Sequence, residues 1–181
     1  MEKQKYFEVD IAGRKEKLEI LPLPGGLSIA FFNLHGNVDL TERCAKALAK
    51  KGIGEAEIII TPESKGLQLS HCLARELGHK QYAVVRKSKK MYMDGGLFVK
   101  VKSITSDTVQ EYYLSKHDIG LIKGKKVAIV DDVISTGGSV RALQDLVSQA
   151  GGLVVSKMCV LAEGDAKDRQ DIVYLASIPV L

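Results

Sequence analysis

The sequence predicts an α/β fold, doubly wound, with a mainly parallel twisted sheet flanked by helices. Two observations carry that expectation. Short apolar runs rich in β-branched residues, at 57–61, 82–85, 126–130 and 154–161, alternate with stretches of helical periodicity, which is the pattern of βαβ units. Hydrophobic residues make up 45% of a chain of 181, enough to bury a sizeable core within one compact domain.

The elements follow in order. Up to about residue 37 the chain reads as short strands and turns, punctuated by Pro22, Pro24, Gly25 and Gly26. Asp39 is then placed to cap a helix through Leu40, Cys44, Ala47 and Leu48, which Gly52 ends. After the strand at 57–61, a second helix follows Gly66, turns Leu67, Leu69, Leu73 and Leu77 toward the core and stops at Gly78. The next strand spans 82–85. Residues 87–95 are basic and then Gly-rich, which predicts mobility. The stretch 99–114 reads as two strands or a long hairpin, with its turn at 103–107, inserted in the sheet or added at its edge. The strongest buried strand is 126–130, running into Asp131-Asp132, a Ser/Thr/Gly turn and a helix over 139–150. Strands at 154–161 and near 172–176 complete the chain.

Composition excludes several classes. A net charge of +4, spread along the chain, suits an anionic small molecule and is too mild for nucleic acid. Cys44, Cys72 and Cys159 lack the spacing of a disulfide framework or zinc site, and Cys44 and Cys72 read as small buried hydrophobes. His35, His71, His79 and His117 are scattered without metal spacing. The charged N-terminus does not resemble a signal peptide, and no run reaches the length of a membrane span. These features predict a cytoplasmic protein.

The chemistry concentrates in residues 127–139. A buried strand delivers Asp131 and Asp132, and the loop Ser135-Thr136-Gly137-Gly138-Ser139 then opens a helix. In open α/β sheets, ligands bind beyond the carboxyl ends of the strands. Glycines let backbone N–H groups approach a phosphate, and the helix dipole favours its charge. Two carboxylates would repel that phosphate, so they make sense accepting from sugar hydroxyls or holding hydrated Mg²⁺. The plainer account is a strand–turn–helix with the aspartates as a solvated cap. The P-loop motif is absent, and Gly52-Ile53-Gly54 lacks the third glycine of a dinucleotide fingerprint.

This segment resembles the phosphoribosyl pyrophosphate signature of the type I phosphoribosyltransferases, purine branch, in which two acidic residues follow a hydrophobic strand and precede a Thr-Gly-Gly-Thr-like turn. The resemblance implies the fold of that family, with a small N-terminal hood over residues 1–38 and a core over 39–181. It also implies transfer of a phosphoribosyl group from phosphoribosyl pyrophosphate to a purine base with Mg²⁺. Asp131 and Asp132 would engage the ribose hydroxyls and the metal, directly or through water, and Ser135 to Ser139 would cradle the 5′-phosphate.

Thr61-Pro62-Glu63-Ser64-Lys65-Gly66 resembles the family's pyrophosphate loop, which often holds a non-proline cis peptide. Arg86-Lys87 resembles the Arg-Lys pair that contacts pyrophosphate in the adenine and xanthine branches, and Lys90 belongs to the basic run that follows. Residues 91–108 occupy the place of the family's flexible catalytic loop, with Lys100, Lys102, Ser103 and Thr105 as lid contacts. Glu163, Asp165 and Arg169 resemble the C-terminal stretch near the base pocket, although a charged turn accounts for them as simply. The hood would hold the base around Leu27, Phe32 and Asn33.

Hypoxanthine–guanine enzymes usually carry a further Asp at the position of Ser135, so a small residue there points to adenine or xanthine. Adenine is the expected base, with xanthine the alternative. A non-catalytic sensor of phosphoribosyl pyrophosphate is the rival outside enzymes. The family resemblance also implies a homodimer.

Overall fold

The computed structural model describes residues 5–23, 25–102 and 109–181. Pro24, the side chain of Lys102 and the expected turn at 103–107, with Ser103 and Thr105, lie outside the described residues.

The N-terminal stretch forms an antiparallel sheet of its own, in the order β1 (Tyr6–Ile11), β2 (Arg14–Pro22) and β3 (Ser28–Phe31). Alternation makes it: Phe7, Val9 and Ile11 face inward while Tyr6, Glu8 and Asp10 face out. Ala12 and Gly13 both take positive φ, 53° and 79°, as a two-residue hairpin turn requires, and Gly13 N–H donates to Asp10 Oδ1 at 2.8 Å. Ser28 and Leu181 exchange backbone hydrogen bonds of 2.7 and 3.2 Å, tying this sheet to the end of the chain.

Helix α1 (Val38–Lys51) follows, and its cap corrects the sequence reading. Asn37, not Asp39, accepts from the Leu40 N–H, at 3.2 Å. Asp39 lies in the first turn, where its charge still suits the helix dipole. Next come β4 (Ile58–Pro62), α2 (Leu67–Glu76) and β5 (Ala83–Val85). Residues Met91–Met93 make a turn of 3₁₀ helix with Met93 buried.

Strands β6 (Leu97–Lys102) and β7 (Val109–Leu114) pair antiparallel as a hairpin, as expected. They form a separate two-stranded sheet, joined to the end of β5 where Arg86 and Tyr113 exchange backbone hydrogen bonds of 2.9 and 2.8 Å. Helix α3 (Lys116–Ile122) was not legible in the sequence: it has seven residues, includes Gly120 and buries only Ile122.

Strand β8 (Lys126–Ile134) runs four residues further than its hydrophobic run suggests, so Asp131 and Asp132 lie on the strand itself. Helix α4 (Gly138–Gln149), β9 (Leu153–Glu163), a 3₁₀ turn (Gly164–Asp168) and β10 (Val173–Ile178) complete the chain.

The main sheet is parallel, in the order β10-β9-β8-β4-β5. Its two faces bury separate clusters, which is what doubly wound means physically. Ala128 and Val130 join a cluster with α1, α2 and the N-terminal sheet, while Val127 and Ile129 join one with α3, α4 and β7. Because β8 and β5 flank β4, the loops after these three strands open at one edge of the sheet.

Candidate active site

Asp131 and Asp132 stand at the carboxyl end of β8. Asp131 is half-buried, and its Oδ1 accepts from the Asp132 N–H at 2.9 Å. Asp132 is buried, and its Oδ2 has no hydrogen-bond partner among the described residues. Burial pushes the Asp131 carboxyl well above the usual carboxylate range, and the charge of Asp132 pushes the same way. Burial raises Asp132 too, while the Lys65 ammonium pulls it back. An unpaired buried oxygen beside a second carboxylate is a standing demand for a hydroxyl or a cation.

The chain leaves β8 through Ser135 and Thr136 to Gly137, which takes a left-handed φ of 78° as the residue before α4. A pocket of about 230 Å³ opens there, lined by Asp131, residues 135–139, Arg141, and Val101 and Gln110 of the hairpin. Arg141 donates to the Thr136 carbonyl at 3.1 Å. Arg169 is held by both Asp171 oxygens, at 2.9 and 2.8 Å, and its Nη1 lies 2.5 Å from where a Gly137 Cβ would sit. Two guanidinium groups therefore border the glycine turn. Ser139 Oγ lies 2.9 Å from the buried Tyr112 hydroxyl.

The loop after β4 carries Glu63, Ser64, Lys65 and Gly66, and the Glu63–Ser64 peptide bond is cis, as the resemblance implied. Ser64 and Lys65 are exposed. Glu63 is turned toward β5: Oε2 pairs with Arg86 Nε at 2.7 Å and Oε1 accepts from the Lys87 N–H at 2.7 Å. Its own N–H donates to the Val85 carbonyl at 2.9 Å. Glu63 thus sets the positions of Arg86 and Lys87. Lys90 donates to Ser88 Oγ at 2.8 Å, and Lys100 pairs with Glu111 at 2.9 Å.

The N-terminal sheet approaches from the other side. Lys65 Nζ donates to the Phe32 carbonyl at 3.4 Å and lies 4.9 Å from the Phe31 ring centroid. The Phe32 ring is in the core, so the exposed ring at this position belongs to Phe31. Leu27 and Asn33 are exposed.

A family model for the phosphoribosyl transferase domain matches residues 34–178. The chain belongs to that family. It is similar to an adenine phosphoribosyltransferase from Thermotoga sp., 37% identical over 105 residues, covering 56% of each chain. It is also similar to a hypoxanthine/guanine phosphoribosyltransferase from Methanococcus voltae, 33% identical over 111 residues, covering 61% of this chain and 55% of that one. The matched stretch spans about half the length of these curated relatives, 56% and 55%. The solved adenine phosphoribosyltransferase from Thermoanaerobacter pseudethanolicus superposes with a TM-score of 0.73 over 89% of this chain and 95% of that one, at 24% identity, a likeness of fold.

Within this phosphoribosyl transferase domain the segments marked in the sequence meet at one edge. Several neighbours were not foreseen. Phe31 carried a signal, since one of two adjacent aromatics on a strand must face away from the core. Arg141 carried another, as a cation in the first turn of the helix that follows the glycines. Tyr112 and Gln110 carried none, because only the folded hairpin brings them to Ser139. Cys44 and Cys159 are buried as small hydrophobes, whereas Cys72 is half-buried and donates to Glu42 at 3.7 Å. No helix among the described residues is long and apolar enough to cross a membrane.

Proposed function

We propose that this chain transfers the phosphoribosyl group of phosphoribosyl pyrophosphate to a purine base, adenine first, giving AMP and pyrophosphate. The observation that carries the reading is the convergence of three neighbouring strand ends. There β8 presents Asp131-Asp132 and the glycine turn, β4 presents residues 63–66, and β5 presents Arg86-Lys87. An anionic sugar diphosphate matches that set: hydroxyls for the carboxylates, a phosphate for the turn and a second anion for the basic pair.

In this reading Ser135, Thr136, Gly137, Gly138 and Ser139 hold the 5′-phosphate through backbone N–H groups and hydroxyls, with Arg141 beside them. Asp131 and Asp132 accept from the ribose hydroxyls and fix the sugar as it acquires oxocarbenium character. Arg86 and Lys87, set by Glu63, stabilise charge on the departing pyrophosphate, together with Ser64, Lys65, Gly66 and Lys90. The base lies under the N-terminal sheet near Leu27, Asn33 and the Phe32 carbonyl, with the Phe31 ring as an apolar platform. Ser135 is small where the hypoxanthine–guanine pattern has an acid, which supports adenine or xanthine over those two bases. Closure of residues 91–102 over the site would exclude water from the activated sugar, the rest of that loop lying outside the described residues.

Magnesium fits the site. The buried, unpartnered Asp132 oxygen and the adjacent Asp131 are hard oxygen donors. Among the described residues no cluster of three or more His, Cys, Asp or Glu forms, so substrate and water oxygens would complete its shell. When bound, the ion supplies positive charge to the diphosphate oxygens. The exposed Met91 and Tyr92, beside the basic run, support a homodimer through that face. Three free cysteines accord with a reducing cytoplasm.

The test is a product assay with phosphoribosyl pyrophosphate, Mg²⁺ and one of adenine, xanthine, hypoxanthine or guanine per reaction. AMP formation that disappears in Asp131→Asn/Asp132→Asn is expected. Faster turnover of another base corrects the substrate. Binding of phosphoribosyl pyrophosphate without product from any base makes the chain a sensor and overturns the enzyme reading.

A further inference from the structure

Tyr112 stands in the middle of a hydrogen-bonded chain that the proposed chemistry does not use. Its side chain is 1% exposed, its hydroxyl donates to Gln110 Oε1 at 2.7 Å, and the same oxygen lies 2.9 Å from Ser139 Oγ. A phenol has one proton. With that proton on Gln110, the Ser139 hydroxyl donates to Tyr112, and its proton is turned away from the pocket. A phosphate oxygen, which only accepts, then meets the lone pairs of Ser139.

The chain has a second polarity with the same atoms in place. If the Gln110 amide turns over, Nε2 donates to Tyr112, Tyr112 to Ser139, and Ser139 to the phosphate. Every group stays satisfied, and each donor polarises the next. Gln110 and Ser139 line the same pocket, and Gln110 pairs with Val101 across the hairpin.

We propose that Tyr112 is a positioning residue: a phosphate monoester at the glycine turn reverses the Gln110–Tyr112–Ser139 chain, and the reversed chain fixes hairpin β6–β7 against the loaded site. The identity of the monoester as a 5-phosphorylated ribose rests on the function proposed above; the chain reversal needs only the phosphate. The link is specific to the hydroxyl and not to the ring, so Tyr112→Phe removes it while keeping the packing.

The experiment is calorimetric titration of the full chain with ribose 5-phosphate, and hydrogen exchange of residues 109–114 with and without it. Tyr112→Phe should bind about fivefold more weakly, the scale of one neutral hydrogen bond. Gln110→Leu, at an exposed position, should lose about threefold. Tyr112→Phe/Ser139→Ala should bind no more weakly than Ser139→Ala alone, because the two hydroxyls act as one unit. Ligand should protect 109–114 in the wild type and not in Tyr112→Phe. Binding by Tyr112→Phe within twofold of wild type, additive losses in the double variant, or equal protection would each overturn the proposal. A wild type that fails to bind ribose 5-phosphate overturns it, while the product assay with phosphoribosyl pyrophosphate decides the transferase reading separately. A wild type that binds it and shows these losses, yet makes no nucleotide, overturns the transferase reading alone.

Discussion

A methyl group at Gly66 would lie 2.4 Å from Thr61 Oγ1, 3.3 Å from Asp131 Oδ1 and 3.4 Å from the Val130 carbonyl. Hydrogen alone fits where the 63–66 loop crosses the end of β8, so Gly66→Ala must push the loop off the aspartates. The expected loss is about 1–3 kcal/mol of stability, with a raised KM for phosphoribosyl pyrophosphate. Thermal melting and steady-state kinetics check it, and unchanged values would mean that Thr61 rotates aside. Asp131 lends itself to a different test. A carboxylic acid held above its unfolded value binds its proton more tightly in the folded chain. Its contribution to stability is therefore largest in acid and is lost as pH rises from about 4 through the raised value. Asp131→Asn, neutral at every pH, should melt higher than wild type at pH 7 without Mg²⁺, with the gap shrinking toward pH 4. Its kcat/KM should fall about 100-fold, the scale of lost hydrogen bonds to a charged group. A variant that melts lower at pH 7 would show that the charge is stabilised by something other than these neighbours.

Hairpin β6–β7 is the element whose placement decides most at the site, and it turns on Gly96. A Cβ there would come within 2.3 Å of the Leu114 carbonyl and 3.1 Å of the Met93 carbonyl, both backbone. Gly96→Ala should part the strands at their base and lower kcat more than the melting temperature, since the hydrogen-bond ladder of the main sheet does not run through them. Equal proportional losses in both would mean that Tyr112 and Leu114, which join the core from β7, leave it when the strands part. Physical pattern explains which elements could be read from sequence. Strands β4, β8 and β9 are buried on both faces, so their hydrophobic runs announce them. The last residues of β8 escaped because Asp131 and Asp132 interrupt that run. Helix α3 escaped because one buried residue makes no period. The Ser/Thr/Gly turn was legible because glycine and hydroxyl chemistry is local. The Glu63–Arg86 pair and the Tyr112–Ser139 contact were not, because each joins residues that only the sheet order and hairpin packing bring together.

At the scale of the whole molecule, the N-terminal sheet and the strand–helix core share one hydrophobic cluster. Ile11, Leu18, Ala30, Phe32 and Leu34 pack with Leu40, Cys44 and Leu48 of α1 and with Leu69 and Leu73 of α2. Polar ties reinforce this: Lys65 reaches the Phe32 carbonyl, and Ser28 pairs with Leu181. A hood built this way is a functional subdivision of residues 1–38 rather than a unit with its own stability, and this division of the chain is part of the proposed reading. Removing a side chain at the junction should therefore destabilise everything at once. Leu34, 1% exposed, is the place to try it. Leu34→Ala should cost about 2–5 kcal/mol through lost burial and the cavity left behind. For a chain of this size each kcal/mol lowers the melting temperature by about 2–4 °C, so a single transition should move down by roughly 4–20 °C. Calorimetry distinguishes the alternatives directly. One cooperative transition in both proteins, shifted in the variant, means that the surfaces facing base and sugar are fixed by one folding event. Two resolved transitions, with only one displaced, would mean that the N-terminal sheet folds apart from the site it covers.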